Sequence, residues 1–307
     1  MKTAIVTGAT GMIASALIRE LVRCGVRVYA LCKPGDDRSD DFFASPLVTA
    51  IDADITALPQ TAPQIDAKDG VLYHFAWLGT FGGVRDDVYL QNDNIRYTLD
   101  AVQLAHMTGC ECVVTAGSQA EYGIREETLR PDTPVDPVTG YGIAKYAAEK
   151  LAGLYARNLG LRFCAVRILS VFGQKGNPNS IIMANLAKML RGEKTSYTKG
   201  EQLWDFLHCD DAAKAFRLIG ERGRDGACYP LGSGSPRLLR DYILAMRDTI
   251  DPALEVALGA IDYPPGQVMR LCADITALTA DTGFTPDLTF EDGVRRTADW
   301  MKTRGVT

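Results

Sequence analysis

The chain has 307 residues, 47% of them hydrophobic, with a net charge of −5, a pI near 5.3 and a mean hydropathy of −0.04. This length suits one large α/β domain or two tightly merged lobes. The acidic balance argues against nucleic acid or an anionic membrane surface as a partner. No apolar run approaches the roughly 20 residues that span a bilayer.

The N-terminus passes from Met1-Lys2 directly into Thr3-Ala4-Ile5-Val6, without a signal-peptide layout. Eight cysteines dispersed along the chain fit a reducing, cytoplasmic setting better than a disulfide framework. Cys110-Glu111-Cys112 has the wrong spacing for a zinc knuckle and the chain holds three histidines, so no metal site is expected.

Ala4-Ile5-Val6 predicts a first strand, and Thr7-Gly8-Ala9-Thr10-Gly11-Met12-Ile13-Ala14 turns from it into a helix over Ser15 to Arg23. Gly8 and Gly11 permit the tight turn and bring backbone N–H groups close to a pyrophosphate, which the helix N-terminus stabilises. Ala14 stands at the third small position in place of glycine. A second strand, Val26 to Leu31, completes the order that a dinucleotide loop requires, with Gly8, Thr10, Gly11, Met12 and Ile13 as its contacts. An NAD-binding unit usually ends its second strand in Asp or Glu, for the ribose 2′-hydroxyl. Ala30-Leu31-Cys32-Lys33 has no acid there, and Lys33 offers a cation to a 2′-phosphate, or is simply solvated. Arg38 assists a phosphate, whereas Asp36 and Asp37 oppose one. NADP(H) is therefore favoured, with NAD(H) possible.

Leu47 to Ile51 predicts a third strand, and the Asp52-Ala53-Asp54-Ile55 stretch after it offers Asp54 and Ile55 to the adenine edge. Gly70 to Ala76 predicts a fourth, delivering Phe75 and Ala76 to the dinucleotide; His74 either lines that site or is structural. Asn92 to Thr108 predicts a helix, Cys112 to Thr115 a fifth strand, Tyr141 to Leu159 a helix and Leu161 to Val171 a sixth strand. Such alternation predicts a doubly wound, mostly parallel α/β sheet with functional groups beyond the C-terminal strand ends. Ser118 falls there. Tyr141 and Lys145, four apart on a helix, address one small volume. A nearby cation favours the phenolate over the phenol, which makes Tyr141 an acid/base candidate.

The ordered series Thr7-Gly8-x-x-Gly11, Asp52-x-Asp54, His74-Phe75-Ala76, Asn94, Ser118-x-x-x-Tyr122-Gly123, Tyr141-x-x-x-Lys145 and Arg167-x-x-Ser170-Val171-Phe172-Gly173 continues through Asp205-Phe206-Leu207-His208-Cys209-Asp210-Asp211, Tyr229 to Gly234, and Thr282 to Trp300. In this it resembles the extended short-chain dehydrogenase/reductases that act on nucleotide-diphosphate sugars. The resemblance implies a Rossmann lobe over 1–173 and a substrate lobe over 174–307, with 205–216 returning to the first. It implies Tyr141 as acid/base, Lys145 on the nicotinamide ribose and depressing the tyrosine pKa, and Ser118 on the reacting oxygen. Asn94 is structural or holds a water. Arg270 is placed for a diphosphate, with Asn179 a second candidate. Trp204 stacks on a base or sugar, or fills the lobe. Glu121 is a substrate contact or a turn residue.

Departures from the family pattern bear on the reaction. Its 4,6-dehydratases carry an Asp-Glu pair after the Ser/Thr; here Gln119 and Ala120 occupy those positions and cannot act as acid and base, leaving Gln119 as a substrate contact. Reduction of a nucleotide-linked 4-keto-(deoxy)hexose by NADPH, similar to the abequose-synthase type of 4-ketoreductase, is the favoured activity. An NAD-dependent 4-epimerase of the same substrates is the alternative. A reductase of non-sugar ketones and a non-catalytic cofactor sensor are the remaining classes. The family analogy also implies a homodimer through the 92–108 and 141–159 helices.

Overall fold

The computed structural model describes residues 1–305. The short apolar runs become β1 (Thr3–Thr7), β2 (Arg27–Cys32), β3 (Val48–Asp52), β4 (Val71–His74), β5 (Cys112–Ser118) and β6 (Arg162–Ile168). They stand side by side in the order β3-β2-β1-β4-β5-β6, every pairing parallel. A parallel sheet is covered on both faces, so its strands are apolar on both. Ala4 and Val6 of β1 pack with Leu17, Ile18 and Leu21 of α1 (Met12–Arg23). Ile5 points the other way, towards Ala101 and Val102 of α2 (Val88–Met107) and Ala152 and Ala156 of α3 (Gly140–Asn158).

Several boundaries differ from the sequence reading, three of them near the site. β5 continues three residues further, through Ser118. α2 begins at Val88, because the Asp87 side chain accepts the Leu90 N–H at 3.1 Å. The expected single strand over 161–171 breaks at Leu169, whose N–H donates to Leu231 O. After the break, β7 (Ser170–Phe172) leaves the sheet and changes partners.

The remaining chain contributes α4 (Ile181–Leu190), β8 (Thr195–Ser196), β9 (Leu203–Trp204), β10 (Phe206–His208), α5 (Cys209–Arg222), β11 (Cys228–Leu231), β12 (Arg237–Leu238), α6 (Leu239–Ile250), β13 (Val256–Ala257), β14 (Arg270–Leu271), α7 (Thr276–Thr282) and α8 (Phe290–Thr303). β10 pairs with β7, and β11 adds a seventh parallel strand beside β6. Phe216 and Ile219 of α5 share a core with α1. β9 lies between β12 and β14, while β8 pairs with β13. A separate core of Ile182, Leu186, Phe206, Tyr242 and Phe290 holds α4, α6 and α8 together. Among the described residues no helix is long and apolar enough to cross a membrane.

Candidate active site

The loop after β1 forms the wall of a cavity of about 500 Å³, lined by Gly8, Thr10, Gly11, Lys33, Asp36, Asp54, Ile55, Phe75, Ala76 and Trp77. Gly8 has φ +65°, and a Cβ on it would lie 3.0 Å from the Ala76 nitrogen, so only glycine brings the loop this close to the end of β4. Gly11 caps α1 without a side-chain acceptor, leaving the N–H groups of the first turn for an anion. The turn, the free helix end and a cavity of this size fit a dinucleotide. Met12 and Ile13 form the start of α1 and are half-buried.

Lys33, among the residues lining this cavity, is exposed. Thr10 Oγ1 donates to Asp36 at 2.7 Å, so an acid lines it as well. Arg38 is engaged in an ion pair with Asp52. Asp54 caps the turn that follows it, accepting from Thr56 N and Oγ1.

His74 is only 3% exposed. Thr7 Oγ1 accepts the Phe75 and Ala76 N–H groups and lies 2.9 Å from His74 Nδ1. The threonine hydrogen therefore goes to Nδ1, and the ring proton sits on Nε2, facing Thr98 Oγ1 at 3.5 Å. Burial, with Lys145 nearby, pushes the imidazole down to about 3. His74 is thus a neutral structural strut and not a dinucleotide contact. Asn94 is structural too: its side chain bonds both the N–H and the carbonyl of Leu78.

Ser118 ends β5 and caps the short turn Gln119–Glu121. Gly142 lets the first turn of α3 approach that turn, since a Cβ there would stand 2.4 Å from the Ala120 carbonyl oxygen. Tyr141 is consequently brought near Ser118, whose hydroxyl favours the phenolate. Burial raises the Tyr141 phenol, while Ser118 and then Arg85 oppose that rise. Lys145 stands one turn along α3 from Tyr141, engaged with other groups as well as that ring. Its ammonium donates to Ala116 O at 2.7 Å and sits 3.7 Å from the Trp77 ring centre, against 5.8 Å for Tyr141. Burial pulls Lys145 down to about 7.

Glu121 corrects the sequence reading most clearly. It is fully buried, and Oε1 accepts the Ser118 N–H at 2.7 Å. Oε2 accepts from Arg167 Nε at 2.8 Å, and the same guanidinium bonds Glu149. A carboxylate so enclosed cannot touch a substrate. Arg167 and Glu149 went unnoticed as its partners, since they lie 46 and 28 positions away and no local pattern links them.

A second cavity of about 500 Å³ opens on the C-terminal side, lined in part by Ser170, Asn185, Tyr197, Gln202, Trp204 and Gln267. It adjoins the first site through the chain: Ser170 follows two residues after Ile168, the register partner of Ser118. Trp204 is a fixed wall of this cavity, its indole N–H donating to Ser170 Oγ at 2.8 Å. Arg270 is half-buried, with Nη2 donating to Thr128 and Nε buried without a partner. Asn179 is exposed just before α4. Gln119 is half-buried in the turn beside Ser118.

His208, Cys209 and Asp210 bring ligand-type atoms within 4.8 Å of one another. Arg19 and Arg296 hold Asp210, and burial pushes the Cys209 thiol up to about 12. Both features oppose a cation, so this trio is packing.

The model of the family described as NAD dependent epimerase/dehydratase matches residues 4–232. A putative UDP-glucose 4-epimerase of Methanocaldococcus jannaschii is 25% identical over 315 residues, covering 99% of each chain. A solved UDP-N-acetylglucosamine 4-epimerase from Methanobrevibacter ruminantium, in complex with UDP-N-acetylmuramic acid, superposes with a TM-score of 0.86 over 99% of both chains at 24% identity. RMD from Pseudomonas aeruginosa, complexed with NADPH, gives 0.81 over 99% of this chain and 100% of its own at 20% identity. The family match runs from β1 to the end of the edge strand β11, through every element of the seven-stranded sheet and the Ser118 and Tyr141 pair. The chain belongs to the NAD dependent epimerase/dehydratase family.

Proposed function

We propose that this enzyme uses NADPH to reduce a nucleotide-diphosphate 4-keto-(deoxy)hexose. The observation that carries the reading is the approach of Tyr141, at the head of α3, to Ser118, beside a cavity lined by Trp77 and Lys33. When bound, the nicotinamide supplies the hydride. Ser118 holds the ketone oxygen and Tyr141 gives it a proton. Gln119 and Ala120 provide no acid/base pair for eliminating water, which sets dehydration aside.

The first lobe, 1–173 with the chain from 205 to 216, carries the cofactor site in this reading, and 174–307 mainly forms the substrate lobe. The cavity beside Trp204 takes the nucleotide, its Asn185, Gln202 and Gln267 amides offering donors and acceptors to a base. Arg270, with its unpartnered Nε, is the cation for the diphosphate, and Asn179 is a second polar group for it. The pair of helices α2 and α3 forms a homodimer interface.

A second reading is the NAD-dependent 4-epimerase. It is favoured by Asp36, which lines the cavity from its bond with Thr10, and by the epimerase relative. Purified protein given NADPH and a panel of UDP-, CDP-, GDP- and dTDP-linked 4-keto-6-deoxyhexoses separates the two. The reductase oxidises one NADPH for each ketone consumed. Interconversion of the corresponding 4-hydroxy nucleotide sugars at C4, without net cofactor consumption, would transfer the assignment to the epimerase.

A further inference from the structure

Arg85 lies outside every motif named above, yet its guanidinium carbon stands 4.6 Å from the centre of the Tyr141 ring. It is carried by the short helical turn Gly82–Asp86, which is tied down on two sides. Gln91 of α2 donates its amide to Val84 O at 3.1 Å and Gly79 O at 2.9 Å. The Asp86 carboxylate accepts the Gly140 N–H at 2.8 Å, fastening the turn to the first residue of α3. The guanidinium is thereby held on the ring, and its Nε is buried with no partner. Lys145 is engaged elsewhere, on the Ala116 carbonyl and the face of Trp77.

We infer that Arg85 is a positioning residue for Tyr141, its positive charge stabilising the phenolate left when the phenol gives up its proton. A cation within about 6 Å of an aromatic face is attracted by the ring quadrupole, and the attraction grows when the ring itself becomes an anion. The inference rests on the proposed acid role of Tyr141. Every charged or titratable group facing the phenol has a part. Ser118, at the end of β5, favours ionisation, and Glu121 in the following turn opposes it. Lys145 stands one turn along α3, and Asp86 sits on the α3 N-terminus. Of the two cations within about 6 Å of the ring, Arg85 is the nearer and the one that lowers its pKa.

The test places 3-fluorotyrosine at position 141 and follows its ionisation by fluorine NMR in the full chain, with Arg85→Met and Arg85→Lys beside the parent. Arg85→Met is expected to move the titration upward by about one pH unit or more, and Arg85→Lys by less. A titration unmoved by Arg85→Met overturns the inference. If KM for the sugar nucleotide rises in that case, Arg85 is a substrate contact; if nothing changes, it is packing. Because the fluorine signal requires no turnover, it reads Arg85 even when the assigned reaction proves wrong. Folding of both variants is checked by near-ultraviolet circular dichroism, and the lysine variant keeps the test open should the methionine variant not fold.

Discussion

Glu121, Glu149 and Arg167 place two carboxyl groups on one buried guanidinium, and Glu121 also accepts the Ser118 N–H. Burial first, and then Glu149, push Glu121 up to about 8. Glu149 is desolvated as well, yet Arg167 holds it below the ordinary carboxylate range. Burial thus biases Glu121 towards its protonated form, for which a glutamine of the same shape substitutes. Glu121→Gln is expected to stay within about 1 kcal/mol of the parent at pH 7. Glu121→Val strands the Ser118 N–H and one Arg167 donor, at a cost of about 3 kcal/mol. The sign of the pH dependence follows from the raised value. The Glu121 contribution is full below its ordinary 4.5 and lost as pH rises through about 8. Urea melts from pH 5 to pH 9 check this: the glutamine variant loses that part of the decline. An equal loss of stability for Gln and Val at pH 7 would mean that the carboxylate is charged.

At the scale of elements, the junction of β1 and β4 positions the cofactor cavity. Thr7 and His74 are register partners at the strand ends, and their bond fixes the loop that Gly8 approaches. Burial depresses His74 from 6.5 to about 3, so its contribution to stability is present above about 6.5 and is lost as pH falls towards 3. The unfolded chain takes up the proton first, and about 2 kcal/mol is lost by pH 5. His74→Gln is expected to flatten the decline between pH 7 and pH 5 in urea titrations, whatever its stability at pH 7. Parallel curves for parent and variant would show that the imidazole is solvated. The apolar runs that make β1 to β5 were legible because a doubly covered strand is apolar throughout. The break at Leu169 was not, for Ile168 to Phe172 continues the same apolar character and the change of partner is set by β10 and β11, more than 30 residues later. The Ser118, Tyr141 and Lys145 positions were legible as motifs. Their environment was not: Arg85 follows two glycines in a stretch without periodicity, and the anchors that aim it lie on α2 and α3.

Across the whole molecule, the chain weaves between two cores. It leaves the sheet after β6, builds β8 and β9, and returns through β10, α5 and β11. Leu129, in the segment between β5 and α3, bridges to Ala273 and exchanges backbone bonds with Cys272 and Asp274. The segment that follows Ser118 is thus tied to the substrate side. The outer surfaces of α2 and α3 expose Val88, Tyr89, Met107, Ile143, Leu151 and Leu154, more large apolar side chains than two solvated helices normally carry. Their burial in the proposed homodimer predicts a dimer at micromolar concentration by sedimentation equilibrium, converted to monomer by Leu151→Arg with Leu154→Arg. A monomeric parent would contradict the interface.

The central claim is one-way hydride transfer to a sugar ketone with Tyr141 as the proton donor. Its most direct measurement supplies NADPH deuterated at the transferable C4 position, together with the nucleotide 4-keto-6-deoxyhexose turned over fastest, and locates the label in the product by NMR. Reduction places one deuterium on C4 of the sugar for each NADPH consumed, and Tyr141→Phe slows the transfer by about 10²–10⁴. A product carrying no deuterium at C4, or undiminished transfer in Tyr141→Phe, would contradict it.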